Sequence, residues 1–270
     1  MARLSMNEMT TYRWSFEEDV QHYTAAGIEA IGVWRQKLSD FGEERGADLL
    51  AEAGLTVSSL LWAGGFTGSE GRSHAESIED ARDAIRLAAA LRAETLIVYT
   101  GARAGHTHNH ARRLLKTALT ELCPLATDCG VTLALEPMHS GCASEWTFLT
   151  DLDETLALLD AIASPRLKLA FDTYHFGHNP QIVARLRDLA PRIAIVQLGD
   201  AKQPPQGEQN RCRLGGGSIP LQEIVLNLMA GGYNGFFDVE LMGEDLEVAD
   251  YHDLLLESKQ IVDGLLAAHV

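Results

Sequence analysis

Short runs rich in Ala, Val, Ile, Leu and Phe recur along the chain at about 2–8, 28–33, 55–61, 95–100, 131–136, 167–172, 193–198 and 235–241. Their brevity and near-continuous apolar character predict strands buried on both faces, as in a parallel sheet. Between them lie longer stretches, among them SFEEDVQHYTAAG, ESIEDARDAIRLAAALR, HARRLLKTALTELCPLATDCG and DETLALLDAIA. Apolar residues return there every three to four positions, which predicts amphipathic helices. Gly27, Gly54, Gly130 and Gly232 each stand just before the next strand. That is where a helix ends on a left-handed residue, a conformation glycine adopts without strain. Strand and helix thus alternate eight times in 270 residues. At about 34 residues per unit, the alternation predicts an α/β fold, a single (β/α)8 TIM barrel. A doubly wound open sheet would want a Gly-rich phosphate turn after an early strand, and neither GxGxxG nor GxxxxGKS/T occurs. No linker, repeat or charge block divides the chain, so residues 1–270 read as one domain.

Polar residues break the pattern at four places. Glu136 ends LALE, Asp172 ends LAFD, Gln197 lies in IVQLGD and Glu240 in FFDVEL. A carboxylate at the end of a buried run is costly unless an ion or a partner compensates it. In a barrel the C-terminal strand ends form the active face, and these four fall on the fifth to eighth strands. Each alone could cap a helix or pair with an Arg. Together, three carboxylates and an amide oxygen on one half of the rim point to a divalent-metal site. Oxygen donors suit Mn²⁺ or Mg²⁺, with Co²⁺ or Zn²⁺ as alternatives. The chain reads as an enzyme.

Composition narrows the partners. A net charge of −16 argues against unspecific nucleic-acid binding and against an anionic membrane surface. Cys123, Cys129, Cys142 and Cys212 form no CxxC pair and read as reduced thiols. The opening MARLSMNEMTTYRW lacks a signal-peptide core, and no apolar stretch nears the ~20 residues a membrane span needs. A cytoplasmic location is expected.

The segments LEPMH, FDTYH, VQLGD followed by an Arg and a Gly-rich turn, and DVEL resemble the sugar phosphate isomerase/epimerase superfamily, the xylose-isomerase-like TIM barrels. Strand order and motif order match over nearly the whole chain. The resemblance implies that Glu136, Asp172, Gln197 and Glu240 bind one divalent metal. It implies that His175 and Arg211 contact substrate oxygens, with Arg213 as the alternative to Arg211. Many ketose epimerases of the superfamily carry His where Gln197 stands. An amide oxygen is a neutral, harder donor, which favours Mn²⁺ or Mg²⁺ over Zn²⁺. Asp200 is expected to orient the loop after the seventh strand.

Trp14, Trp34 and Trp62 follow the first three strands, and Trp14 and Trp62 are expected to offer stacking surface to a carbohydrate or cyclic polyol. Glu145 and Trp146 read as part of a lid. His106, His108 and His110 alternate on one loop without an acidic neighbour in sequence, and read as helix-capping or rim residues rather than a second metal site.

The implied activity is a divalent-metal-dependent isomerase or epimerase on a sugar or keto-sugar, acting by proton abstraction beside a carbonyl through a metal-stabilised enediolate. Glu136 and Glu240, on different strands, would serve opposite faces of the reacting carbon. The alternative is a metal-dependent dehydratase or β-elimination lyase on an inosose, 3-keto-sugar or 3-dehydroshikimate-like substrate, with the same enolate meeting a leaving group. Endonuclease IV shares the barrel, but it would require more strand-end His ligands and a basic face. The resemblance also admits a homo-oligomer.

Overall fold

Eight parallel strands hydrogen-bond in chain order and close on themselves: β1 Arg3–Asn7, β2 Ala30–Trp34, β3 Thr56–Gly64, β4 Thr95–Tyr99, β5 Thr132–Leu135, β6 Leu167–Asp172, β7 Ile193–Leu198 and β8 Phe236–Val239. Closure comes from β1 lying beside β8, with Arg3 opposite Phe236 and Met6 opposite Val239. This computed structural model is the expected (β/α)8 TIM barrel, and it describes residues 2–207 and 209–268. Met1, Glu208, His269 and Val270 of the expected 1–270 span lie outside the described residues. The expected third strand stopped at residue 61. The structure continues it through Trp62 to Gly64, where the backbone still pairs with Tyr99 of β4. Among the described residues no helix is long and apolar enough to cross a membrane.

The helices begin and end as their sequences demand. Ser15 and Ser73 head the helices Phe16–Ala25 and His74–Ala90, each closing a reciprocal capping box with a Glu three residues on. Gly54 and Gly130 end the helices Glu43–Ala53 and His108–Cys129 at φ of 70° and 74°. A side chain there would be strained, so glycine sets the stop.

Two apolar layers divide strands β2 to β8 by parity. Ala30, Leu61, Ile97, Ala134, Ala170, Ile195 and Phe236 form one buried cluster that fills the lumen. Their chain neighbours, such as Ile31, Leu60, Val98, Leu133, Phe171, Val196 and Phe237, belong to the larger core under the helices. Side chains alternate faces with a period of two. Two residues beyond each lumen position the same direction therefore recurs: Ala134 leads to Glu136, Ala170 to Asp172, Ile195 to Gln197, and Phe236 to Asp238 and Glu240. The strand pattern itself aims these polar groups into the barrel mouth.

A second buried ionic cluster braces the rim beyond β1. Lys37 Nζ donates to Asp19 Oδ2 at 2.5 Å and to the carbonyls of Thr11 and Glu8 at 2.9 and 3.2 Å. Glu8 Oε2 accepts from the Trp34 amide at 2.6 Å, while Oε1 has no partner. Burial, aided by the Asp19 charge, holds the Glu8 carboxyl well above its ordinary 4.5. Below about that pH both folded and unfolded chains keep the proton. Above it the unfolded chain releases the proton and the folded chain retains it, so this group lowers stability as pH rises. Glu8→Gln keeps the acceptor for Trp34 and removes the titration. It is expected to raise Tm at about pH 8 and leave it nearly unchanged at about pH 4. Thermal unfolding at both pH values checks this; an equal shift at both would mean that Glu8 is ionised in the fold.

Candidate active site

Glu136 and Glu240 sit one residue past β5 and β8, their backbone amides still bonded to Val98 and Leu198 of the neighbouring strands at 2.9 and 3.0 Å. Asp172 ends β6 and Gln197 lies beside it in register on β7, which in turn places Gln197 opposite Asp238. All four are buried, as are His175 and Arg211. Asp172 also heads the short helix Thr173–Phe176, its Oδ1 accepting from the Tyr174 amide at 2.7 Å. That turn carries His175 back over the strand end. Its Nε2 lies 3.8 Å from Asp172 Oδ2 and 3.9 Å from Glu136 Oε1.

Arg211 is the cation at the centre. Its Nη2 donates to Asp172 Oδ2 at 2.8 Å and to Glu240 Oε1 at 3.3 Å, and its Nη1 to the Glu240 carbonyl at 3.2 Å. Although burial alone would weaken its proton, the carboxylates of Asp172 and Glu240 hold the guanidinium charged. Arg213 instead forms an exposed pair with Glu257 on the helix Tyr251–Ala267. Of the two, Arg211 is the one that reaches the rim carboxylates. Its guanidinium also lies over the Tyr174 ring, 4.5 Å from the centroid.

Burial decides the protonation of the site. It pushes Glu136 well above the carboxylate range, reinforced by the charges of Glu240 and Asp172. Glu240 is pushed up to about 7, although Arg211 pulls the other way. His175 is pushed down to about 4, so its imidazole is neutral. A neutral His and an Arg-held carboxylate pair are compatible with acid–base work near neutrality.

Among the described residues, three buried polar atoms here have no partner: Gln197 Oε1, His175 Nε2 and Asp238 Oδ1. The Gln197 amide nitrogen donates to Glu240 Oε2, which leaves Oε1 free as a donor atom for an ion. One donor atom each from Glu136, Asp172 and His175 lie within 4.8 Å of one another. Carboxylates, an amide oxygen and a neutral imidazole form a donor set that suits a divalent ion. The cluster therefore suggests a divalent metal, and the residues present fit one.

The remaining expectations separate. Asp200 does orient the loop after β7: its carboxylate accepts from the amides of Gly215 and Gly217 at 2.9 and 3.0 Å, and from Ala201 and Ile219 at 2.8 and 3.3 Å. Trp62 lines a cavity of about 60 Å³ together with Glu136, Glu240, Tyr99, Met138 and Trp146. Trp14 does not line it, which corrects its expected stacking role. Trp14 precedes Ser15, the cap of the helix Phe16–Ala25, and its ring packs between His22, Tyr251 and His252 at centroid distances of 4.5, 5.2 and 5.1 Å. In the histidine loop, Thr107 caps the helix and His108 finds an acidic partner, Glu154 Oε1 at 2.6 Å. That carboxylate comes from the next helix, so spacing within the loop could not reveal it.

Three further groups belong to the site. Asn7, ending β1, donates to Asp238 Oδ2 at 2.8 Å and to Glu240 Oε2 at 3.2 Å, orienting the latter. Asp238, which burial pushes up to about 7 against hydrogen bonds from Ser5 and Asn7, lies one lumen position below Glu240. Cys142 Sγ is 3.6 Å from His175 Nδ1. Asn7 and Asp238 were visible as polar interruptions of apolar runs; Cys142 carried no signal.

The fold and part of the sequence have relatives. A stretch of 118 residues is 30% identical to the D-psicose 3-epimerase of Enterocloster bolteae, spanning 43% of this chain and 36% of that protein. The solved structure of protein SMc04130 from Sinorhizobium meliloti superposes with a TM-score of 0.88 at 25% identity, covering 97% of this chain and 98% of that one. That of the IolI protein with a bound zinc atom superposes with a TM-score of 0.85 at 18% identity, covering 99% of each chain. The family model of the xylose isomerase-like TIM barrel matches residues 20–261. The chain belongs to the xylose isomerase-like TIM barrel family.

Proposed function

We propose that this chain is a divalent-metal-dependent isomerase or epimerase of a sugar or keto-sugar, with Glu136 and Glu240 as the proton-transferring pair. The observation that carries this reading is that two buried carboxylates from β5 and β8 line one cavity beside unpartnered donor atoms of Gln197 and His175. The likeness to D-psicose 3-epimerase over part of the chain supports the same class of chemistry. Glu136, Asp172, Gln197 and Glu240 would hold the ion, with Mn²⁺ or Mg²⁺ preferred for an oxygen donor set.

When bound, the ion supplies electrostatic stabilisation of negative charge developing on substrate oxygens. The chain supplies the rest. One carboxylate takes the proton from the carbon beside the carbonyl. The other, protonated, returns one from the opposite face, which inverts the centre. Burial raises the basicity of both groups, and Arg211 keeps Glu240 from being protonated permanently. His175, neutral and with Nε2 unengaged, is set to hydrogen-bond a substrate oxygen. The Trp62, Met138 and Trp146 side chains exclude water from the transfer.

The test is solvent exchange in D₂O, followed by NMR on Mg²⁺-loaded protein with ketoses, 3-keto-sugars, inososes and 3-dehydroshikimate. Deuterium at the α-carbon with a new stereoisomer or aldose–ketose product is expected, and EDTA should stop it. Loss of water with a new enone would instead make the chain a lyase of the same family. Exchange that survives EDTA would remove the metal from the proposal.

A further inference from the structure

Resting on that reading of the site, we infer that the substrate is an uncharged glycoside-like molecule whose second, apolar-faced ring sits on an aromatic wall beside the reacting carbons. The wall is longer than one sugar needs. Trp34 and Trp62 stand 6.4 Å apart by ring centroids, Trp62 and Trp146 6.1 Å, and Trp146 and Tyr99 6.5 Å. A pyranose ring covers one indole face, whereas this row holds three indoles and a phenol in contact. Trp62, Trp146 and Tyr99 line the same cavity as Glu136 and Glu240, so the row begins at the chemistry. It opens to solvent at Trp146, which contacts both Trp62 and Tyr99 and is 44% exposed. An exposed aromatic continuous with a buried reactive centre is the arrangement expected where a ligand's apolar face covers it.

Charge sets the class. The ionisable carboxylates facing this cavity are Glu136 and Glu240. The cations near the wall are committed elsewhere. Arg35 donates to the Trp62 carbonyl at 2.9 Å and to both oxygens of Asp80 at 3.2 and 3.1 Å. Arg72 pairs with Glu70 and Asp80, both at 3.0 Å. The hydroxyl of Tyr99 donates to Glu70, the carboxylate that Arg72 already pairs with, so that end of the wall is charge-compensated. Arg211 is engaged by Asp172 and Glu240. A phosphate or carboxylate on the substrate's second moiety would meet carboxylates and apolar rings and lose its hydration without replacement. An uncharged ring loses little and gains stacking.

Intrinsic tryptophan fluorescence of the Mg²⁺-loaded protein, titrated with phenyl β-D-glucopyranoside, methyl β-D-glucopyranoside, D-allulose and D-glucose 6-phosphate, tests this. The phenyl glycoside is expected to bind roughly five- to tenfold more tightly than the methyl glycoside, the gain one aromatic stacking contact supplies. Trp146→Ala should erase that preference and Trp146→Phe should retain most of it. Equal affinity for the two glycosides, no saturable binding of either, or tighter binding of the sugar phosphate overturns the inference. Metal-dependent exchange on D-allulose without a glycoside preference would leave the proton-transfer reading standing and remove only this one.

Discussion

Glu240→Gln is expected to cut metal-dependent proton exchange by about 10²–10⁴-fold, the range a positioned acid–base group contributes. The fold should survive. The amide keeps an oxygen for Asn7 and Gln197 to approach, and Arg211 retains Asp172 as its closer partner at 2.8 Å. What the substitution removes is the ionisable carboxyl, the only part of the side chain able to give or take a proton. The measurement is the deuterium incorporation rate for the ketose that wild-type protein exchanges fastest, with circular dichroism and Tm as controls. A wild-type rate in the folded variant would take Glu240 out of the chemistry and leave Glu136 alone with a water-derived proton.

Arg211→Ala is expected to cost about 3–5 kcal/mol of stability in the metal-free protein, the usual consequence of leaving buried carboxylates without their cation. Asp172 and Glu240 share this guanidinium in the lumen, and neither can turn to solvent. Saturating Mg²⁺ should return part of the loss, because an ion between the same carboxylates restores the missing positive charge. Urea unfolding with EDTA and with Mg²⁺ reads both effects. Arg213→Ala supplies the contrast. Its partner Glu257 is exposed, so about 0–1 kcal/mol is expected. A loss below about 1 kcal/mol for Arg211→Ala would mean that the rim carboxylates are held neutral by other means.

The two substitutions also mark how far the local pattern reaches. Glu136, Asp172, Gln197 and Glu240 were legible as polar endings on apolar runs, and the strand period of two carries each from a lumen-filling residue to the mouth. Arg211 was legible only through its place before a Gly-rich turn. Its burial between Asp172 and Glu240 depends on how the long β7 loop folds back over the strands. Trp14 shows the opposite case. Coming soon after the first strand, it read as a rim aromatic, but the turn after β1 delivers it to the outer helix layer against His22 and His252.

Alone, then, the sequence determined the repeating strand–helix units, the face each strand residue takes and the carboxylates at the strand ends. Those follow from periods of 2 and 3.6 residues and from the cost of burying charge. Closure of β1 on β8 decided the rest. It brings Asn7 to Glu240, 233 positions later in the chain, and ring closure with its loops gathers Trp62, Tyr99 and Trp146 into one wall. Such pairings depend on three-dimensional proximity between distant segments, and no local spacing of side chains encodes them.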